Sequence, residues 1–467
     1  MTVHRYDFDL PTTLQFRALI DSYGRMRRLE AMTPQIRGQR FNEFIAELLR
    51  CWGVNQVQSN VHGVGEIDVA FNLDGTRFLL EAKWEQEPIP FDPIAKLSKR
   101  ITQRLAGTRG VLLAMSGYTD DALRDVYRGQ QPDMLLLDRT HLEAMLSGLR
   151  SPHDLITKLI DRAAYQGEVY GPLTGLIVPR GSASLPALAL GAPADHSFPI
   201  VAETAPGVRA EVVLHGTPAW NATVDGLTVH PDGRLLLTTP NGVVGADLDT
   251  GALTWAVPIP GCHRGALVRA DGSMLVICGA AVLRWDQLGI QIVAGGFTGG
   301  TSLLWGPENE AWVFDYKTAG WMQPGRTVTL TRLGAELGQE VRHEIDFQAG
   351  IWSAAWLSGR RFFLAGDGHF GVVDLDITAH VEIEDQLRSP HPSQRGAMRL
   401  DNRTVMTTSR HGGVYRIDVE TGENTLMARF EVPPYSAELA AADPGHAYVL
   451  QHLIRGQTAY YPIVARI

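Results

Sequence analysis

From residue 200 onward the chain carries no helical period, and this restricts its fold more than any other feature. Short apolar runs recur instead, at intervals of roughly 35 to 50 residues, each punctuated by turn residues. The first clear unit reads Leu227-Thr-Val-His-Pro231-Asp232-Gly233-Arg-Leu-Leu-Leu237 and continues through Gly242 and Asp249-Thr-Gly251 to Trp255. The second runs from Ala266 through Asp271-Gly272 to Ile277 and on to Trp285; others start near Ser302, Ile351, Gly396 and Ala437. Asp-Gly and Thr-Gly turns tolerate positive φ, so each unit supplies about four short antiparallel strands. A sheet of that size cannot bury both faces alone, and copies pack radially. We count six units and leave a seventh open; Ala210-Glu-Val-Val-Leu-His215 is placed to complete the last and close the ring.

This arrangement resembles a β-propeller of the WD-repeat or quinoprotein-like kind. Its tryptophans, Trp255, Trp285, Trp305, Trp312, Trp352 and Trp356, are expected to pack between blades. His230, His263, His369, His391 and His411 stand beside turns and read as loop histidines rather than ligands. Asp247-Leu-Asp249 lacks the further ligands of a calcium loop and reads as a turn. No catalytic residue stands out here, and a quinone cofactor has no support.

Upstream, strands and helices alternate as in an α/β core. The expected division is an α/β domain over residues 1–170, a Pro/Gly/Ala-rich linker over 171–199 and the all-β region over 200–467. A leading helix is expected over residues 12–34, with Leu14, Ala18, Leu19 and Tyr23 inward. A second, Gln39 to Trp52, carries the stripe Phe41, Phe44, Ile45, Leu48, Leu49 and Trp52. Asn42 borders that stripe, whereas Glu43 points away from it.

Two strands follow. Asp68 lies in Ile67-Asp68-Val69-Ala70-Phe71, and Glu81 and Lys83 close Phe78-Leu79-Leu80-Glu81-Ala82-Lys83. Asn72-Leu73-Asp74-Gly75 is a hairpin turn between them. Alternation puts Glu81 and Lys83 on one face, and the hairpin brings Asp68 to it. Two carboxylates converging with a lysine suit a hard divalent cation and a nearby proton donor or acceptor, as metal-assisted phosphodiester hydrolysis requires. The competing reading is a solvated strand face; the apolar neighbours Leu79, Leu80 and Trp84 argue against it, since unpaired charge there is costly.

Arg37-Gly38-x-x-Phe41, Gly65-Glu66-Ile67-Asp68 and Leu80-Glu81-Ala82-Lys83-Trp84 together resemble the Mrr-like branch of the restriction-endonuclease superfamily. Thr108 to Thr119, Met134 to Asp138 and the helix Leu142 to Leu149 resemble its later elements, so the likeness spans residues 10 to 170. It implies Asp68, Glu81 and Lys83 as catalytic residues, with Mg²⁺ or Mn²⁺ on Asp68 and Glu81. It also implies cleavage of nucleic acid, double-stranded DNA first, to a 5′-phosphate by a homodimer or larger assembly. Asn42 replaces a frequent glutamate and Ile67 a frequent proline; Glu66 is a candidate auxiliary acid. The rival reading is a non-catalytic nucleic-acid- or protein-binding scaffold subunit.

Composition agrees with such a chain. The net charge of −9 divides unevenly: residues 1–170 hold 21 basic and 22 acidic side chains, the remainder 21 and 29. A nuclease needs local basic patches rather than a basic whole. The expected helix Asp92 to Leu105 offers one in Lys96, Lys99, Arg100 and Arg104, either a phosphate-backbone contact or a solvated face. Cys51, Cys262 and Cys278 are widely spaced and imply no disulfide framework, pointing to the cytoplasm. No run approaches the roughly 18 apolar residues of a membrane span, and no G-K-[ST] phosphate loop is present. Fusing a self-damaging nuclease to a sensing or docking propeller suggests defence against phage or foreign DNA.

Overall fold

The computed structural model describes residues 10–61, 66–126, 133–178, 188–193, 200–216, 224, 226–286, 288–298, 301–318, 324–346, 351–366, 369–375, 387–388, 394–409, 412–431, 438–443, 446–455 and 459–467. It divides into two compact units, Met1–Val178 with Gly289–Gly296 and Ala335–Gln339, and the remaining residues.

In the first unit α1 (Leu10–Arg27) buries Phe16, Leu19, Ile20, Tyr23 and Met26. It stops short of the expected residue 34 because Leu29 and Ala31 adopt φ of 52° and 53°, left-handed geometry that a helix cannot continue. Ala18, expected inward, is exposed, since the larger Phe16, Leu19 and Ile20 occupy the inner stripe; the Leu14 side chain lies outside the described residues. The second helix, α2 (Pro34–Cys51), begins before the expected Gln39. Thr33 caps it by accepting the Ile36 N–H at 3.3 Å, and Pro34 fills the first turn.

A five-stranded sheet follows in the order β1 (Asn55–Val61), β2 (Ile67–Leu73), β3 (Thr76–Lys83), β4 (Arg109–Ala114), β5 (Met134–Asp138). The first three strands are antiparallel and the last three parallel. The β2–β3 turn has Asp74 at φ 49° and Gly75 at φ 82°, as a two-residue hairpin with this twist requires. Between the parallel strands stand α3 (Phe91–Thr102) and α4 (Asp120–Asp125); α5 (Arg139–Leu146), α6 (Pro152–Gln166) and α7 (Leu173–Ile177) complete the unit. Ile94, Leu97 and Ile101 of α3 join Leu112, Ala114 and Leu136 in one core. Leu105, expected inward, is 81% exposed because α3 ends at Thr102.

The second unit opens with β6 (Leu188–Leu190), β7 (Val201–Thr204) and β8 (Glu211–Gly216). Four four-stranded sheets follow along the chain: β9–β12 (Gly226–Val229, Leu235–Thr239, Gly242–Ala246, Leu253–Val257) and β13–β16 (Cys262–Val268, Met274–Cys278, Ala281–Asp286, Gly289–Ala294), β16 being among the residues counted with the first unit. Next come β17–β20 (Thr301–Trp305, Ala311–Thr318, Pro324–Arg332, Val341–Asp346) and β21–β24 (Ile351–Ser358, Arg361–Gly366, His369–Asp374, Leu387–Arg388). In the fifth sheet, β25–β28 (Gln394–Arg399, Thr404–Ser409, Gly413–Asp418, Asn424–Phe430) take β7 at their edge. The sixth consists of β29–β31 (Glu438–Asp443, His446–Arg455, Ala459–Arg466) with β8 and then β6. The innermost strands β9, β13, β17, β21, β25 and β29 meet in turn, and β29 returns to β9. The ring therefore has six blades.

Trp312 lies 5.0 Å from Phe362 and Trp352 5.8 Å from Tyr316, so tryptophans do join the third and fourth blades. Asp247 accepts the N–H groups of Asp249 and Thr250, a turn as expected. Two expectations change. Cys262 and Cys278 stand opposite each other across β13 and β14 and form a disulfide, because their 16-residue separation is a hairpin. His263 belongs to β13 rather than a loop; its Nε2 lies 2.9 Å from the Gly279 carbonyl, and burial pushes its pKa down to about 4. His391, His411 and the His369 side chain lie outside the described residues. Among the described residues no helix is long and apolar enough to cross a membrane.

Candidate active site

The site begins with a register. Val69 pairs with Leu80, Ala70 with Leu79 and Phe71 with Phe78, which puts Asp68 on the face of Glu81 at the end of the pairing. There the ladder gives way to a side chain: Asp68 Oδ2 accepts the Ala82 N–H at 2.7 Å. Its Oδ1 accepts the Asn42 Nδ2 at 2.9 Å, and the same amide donates to Asn60 Oδ1 at 3.2 Å. Asn42 thus reaches Asp68 from α2, while Glu43 is exposed.

Glu81 is 8% exposed, and both its oxygens meet cations: Lys83 Nζ at 2.9 Å on Oε1 and Arg100 Nη1 at 2.6 Å on Oε2. Burial raises the Asp68 carboxyl above its usual range, and the Glu81 charge adds to this. The Ala82 N–H, Lys83 and Asn42 work the other way.

Trp84, just past the end of β3, is fixed by the Arg37-x-x-x-Phe41 spacing, which places two side chains one helical turn apart. The Arg37 guanidinium lies 4.5 Å over its ring and donates to its carbonyl at 3.1 Å, while Phe41 meets it edge-on at 4.6 Å. At the far strand, Asp138 caps α5: its Oδ1 takes Thr140 and His141, its Oδ2 the Tyr170 hydroxyl at 2.7 Å.

Of the anticipated residues, Asp68, Glu81, Lys83 and Asn42 come together. Glu66 is exposed, and among the described residues no hydrogen bond or ion pair ties it to them. The basic helix divides: Lys96 and Lys99 are exposed, Lys96 pairing with Asp92, whereas Arg100 turns inward to Glu81. That inward role was not anticipated, although Arg100 borders the apolar stripe Leu97 and Ile101 on the α3 wheel.

The carboxylates of Asp68 and Glu81 are the right donor type for a divalent cation once one of the cations paired with Glu81 moves aside. Mg²⁺ and Mn²⁺ take hard oxygen ligands and commonly one or two carboxylates. Asp68 and Glu81 supply these, and a cation would relieve the burial and repulsion that raise Asp68. Among the described residues no cluster of three His, Cys, Asp or Glu exists that could hold a metal.

Residues 33–146 match the family model Mrr_cat, described as a restriction endonuclease. A gluconolactonase from Xanthomonas campestris shares 14% identity over 61% of this chain and 99% of its own, with a TM-score of 0.42. Regucalcin from Agrobacterium tumefaciens, a calcium-binding protein, shares 15% identity over 52% of this chain and 89% of its own, with a TM-score of 0.38. Comparison with curated proteins finds no match. Residues 33–146 thus match a restriction-endonuclease domain model, and the sheets of the later residues form a six-bladed β-propeller.

Proposed function

We propose that the first unit is an endonuclease that uses Mg²⁺ or Mn²⁺ to hydrolyse phosphodiester bonds in double-stranded DNA. The observation that carries this reading is the meeting of Asp68, Glu81 and Lys83 at one splayed strand end. Asp68 and Glu81, with the Ala82 carbonyl, would hold the cation. When bound it supplies Lewis acidity at the phosphate. Lys83 orients or deprotonates the attacking water and stabilises charge on the phosphorane. Asn42 fixes the Asp68 carboxylate toward the site. The working division is a nuclease over residues 1–170, a connecting stretch over 171–199 that includes α7 and β6, and a propeller over 200–467 that senses or docks a protein or ligand. A homodimer or larger assembly acting against phage or foreign DNA completes the proposal.

The test is plasmid nicking by the full chain with Mg²⁺, with EDTA, and by Asp68→Ala and Lys83→Ala. Cation-dependent nicking that either substitution reduces at least a hundredfold is expected. Equal activity in all three proteins removes the assignment. The scaffold reading, favoured by Asn42 in place of an acid, predicts DNA retention without any Asp68-dependent Mn²⁺ binding.

A further inference from the structure

Glu81 holds more positive charge than a metal ligand awaiting its ion would need. Lys83 occupies one carboxylate oxygen at 2.9 Å and Arg100 the other at 2.6 Å, so a cation reaching Glu81 must displace at least one of them. Lys83 is held close by its strand, two residues from Glu81 on the same face. Arg100 comes from another element, the last turn of α3, and its side chain keeps 34% of its surface in solvent. Lys83 keeps a similar 30%, so what separates the two is that Arg100 alone comes from outside the strand that carries Glu81.

We propose that Arg100 is a phosphate-binding residue parked on Glu81: the incoming divalent cation takes the carboxylate, and the released guanidinium engages a non-bridging oxygen of the DNA phosphate beside it. This rests on the nuclease reading of the same site. Charge supports the exchange. Asp68, Glu81, Lys83 and Arg100 are mutually neutral; a divalent cation adds two positive charges, and a phosphodiester returns one negative charge to the spot the guanidinium can reach. The planar fork suits carboxylate and phosphate alike, so one side chain serves both states. Arg100 thereby delays loading of the cation and then contributes to the chemistry.

The experiment is Mn²⁺ calorimetry on the full chain, with Arg100→Met and Arg100→Lys beside wild type and Asp68→Ala, paired with cleavage rates at saturating Mn²⁺. Arg100→Met should bind Mn²⁺ about tenfold more tightly, having lost the competitor, yet cleave on the order of 10- to 100-fold more slowly. Arg100→Lys should keep near-wild-type Mn²⁺ affinity and remain slow, because it retains the charge without the fork. A residue with only a structural role would not tighten Mn²⁺ binding. Unchanged or weaker Mn²⁺ binding in a folded Arg100→Met overturns the proposal while leaving the nuclease reading intact. If wild type and Asp68→Ala are alike in binding no Mn²⁺, the nuclease reading fails, and this inference with it.

Discussion

Glu81→Gln removes one charge and preserves the shape of the side chain. In the wild type, that carboxylate holds Lys83 at 2.9 Å and Arg100 at 2.6 Å from a position only 8% exposed. A hydrogen bond to a charged partner contributes about 1.5–3 kcal/mol. Both cations keep about a third of their surface in water, so screening lowers each contribution. Together the two pairs are worth about 2–4 kcal/mol without metal, and two cations left facing each other can only increase the loss. A multidomain chain need not unfold in one step, so the assay is native-state hydrogen exchange on the amides of β2 and β3. Protection there should fall by roughly 30- to 1,000-fold, the equivalent of that energy. Lys83→Met and the double variant complete a cycle with an expected coupling of about 1 kcal/mol. A loss below about 0.5 kcal/mol with no coupling would show that the carboxylate does not hold these cations.

Arg37→Ala removes the cation over Trp84 and a hydrogen bond to its carbonyl, for a cost of about 1–2 kcal/mol and a shift in tryptophan emission; unaltered emission and stability would contradict the packing. Burial alone would raise the Asp138 carboxyl, but hydrogen bonds from His141, Thr140 and Tyr170 hold it well below the ordinary 3.8. The folded unit then binds fewer protons than the unfolded chain in acid, so this stabilisation is complete above the ordinary value and is lost as pH falls below it. Asp138→Asn should therefore be less stable at neutral pH and show a shallower acid limb in near-ultraviolet circular dichroism.

Local chemistry was legible in the sequence. The Asp74-Gly75 turn fixes the β2–β3 register through neighbouring residues, and with it the shared face of Asp68, Glu81 and Lys83. The border position of Asn42 follows from the spacing of Phe41, Phe44 and Ile45. What stayed hidden depends on distant partners. Arg100 finds Glu81 across 19 positions, and its charge alone could not separate an inward from an outward role. Trp84 gave no hint of Arg37, because cation and ring come together only once α2 lies on the sheet. The cystine escaped notice because a hairpin register, not a spacing motif, brings Cys262 to Cys278. Helix ends were misplaced where Thr33 and Pro34 start α2 early and where Leu29 and Ala31 halt α1.

The pairing of Glu211 with Arg466 spans 255 positions. During synthesis the strands that carry Asp68, Glu81 and Lys83 leave the ribosome long before β31 exists, so they are made well before the ring can close. Until then β8 and β30 each present an open hydrogen-bonding edge, which a second nascent chain can fill by exchange. Ring closure is thus the late, long-range event in the life of this molecule, and the step most exposed to mispairing.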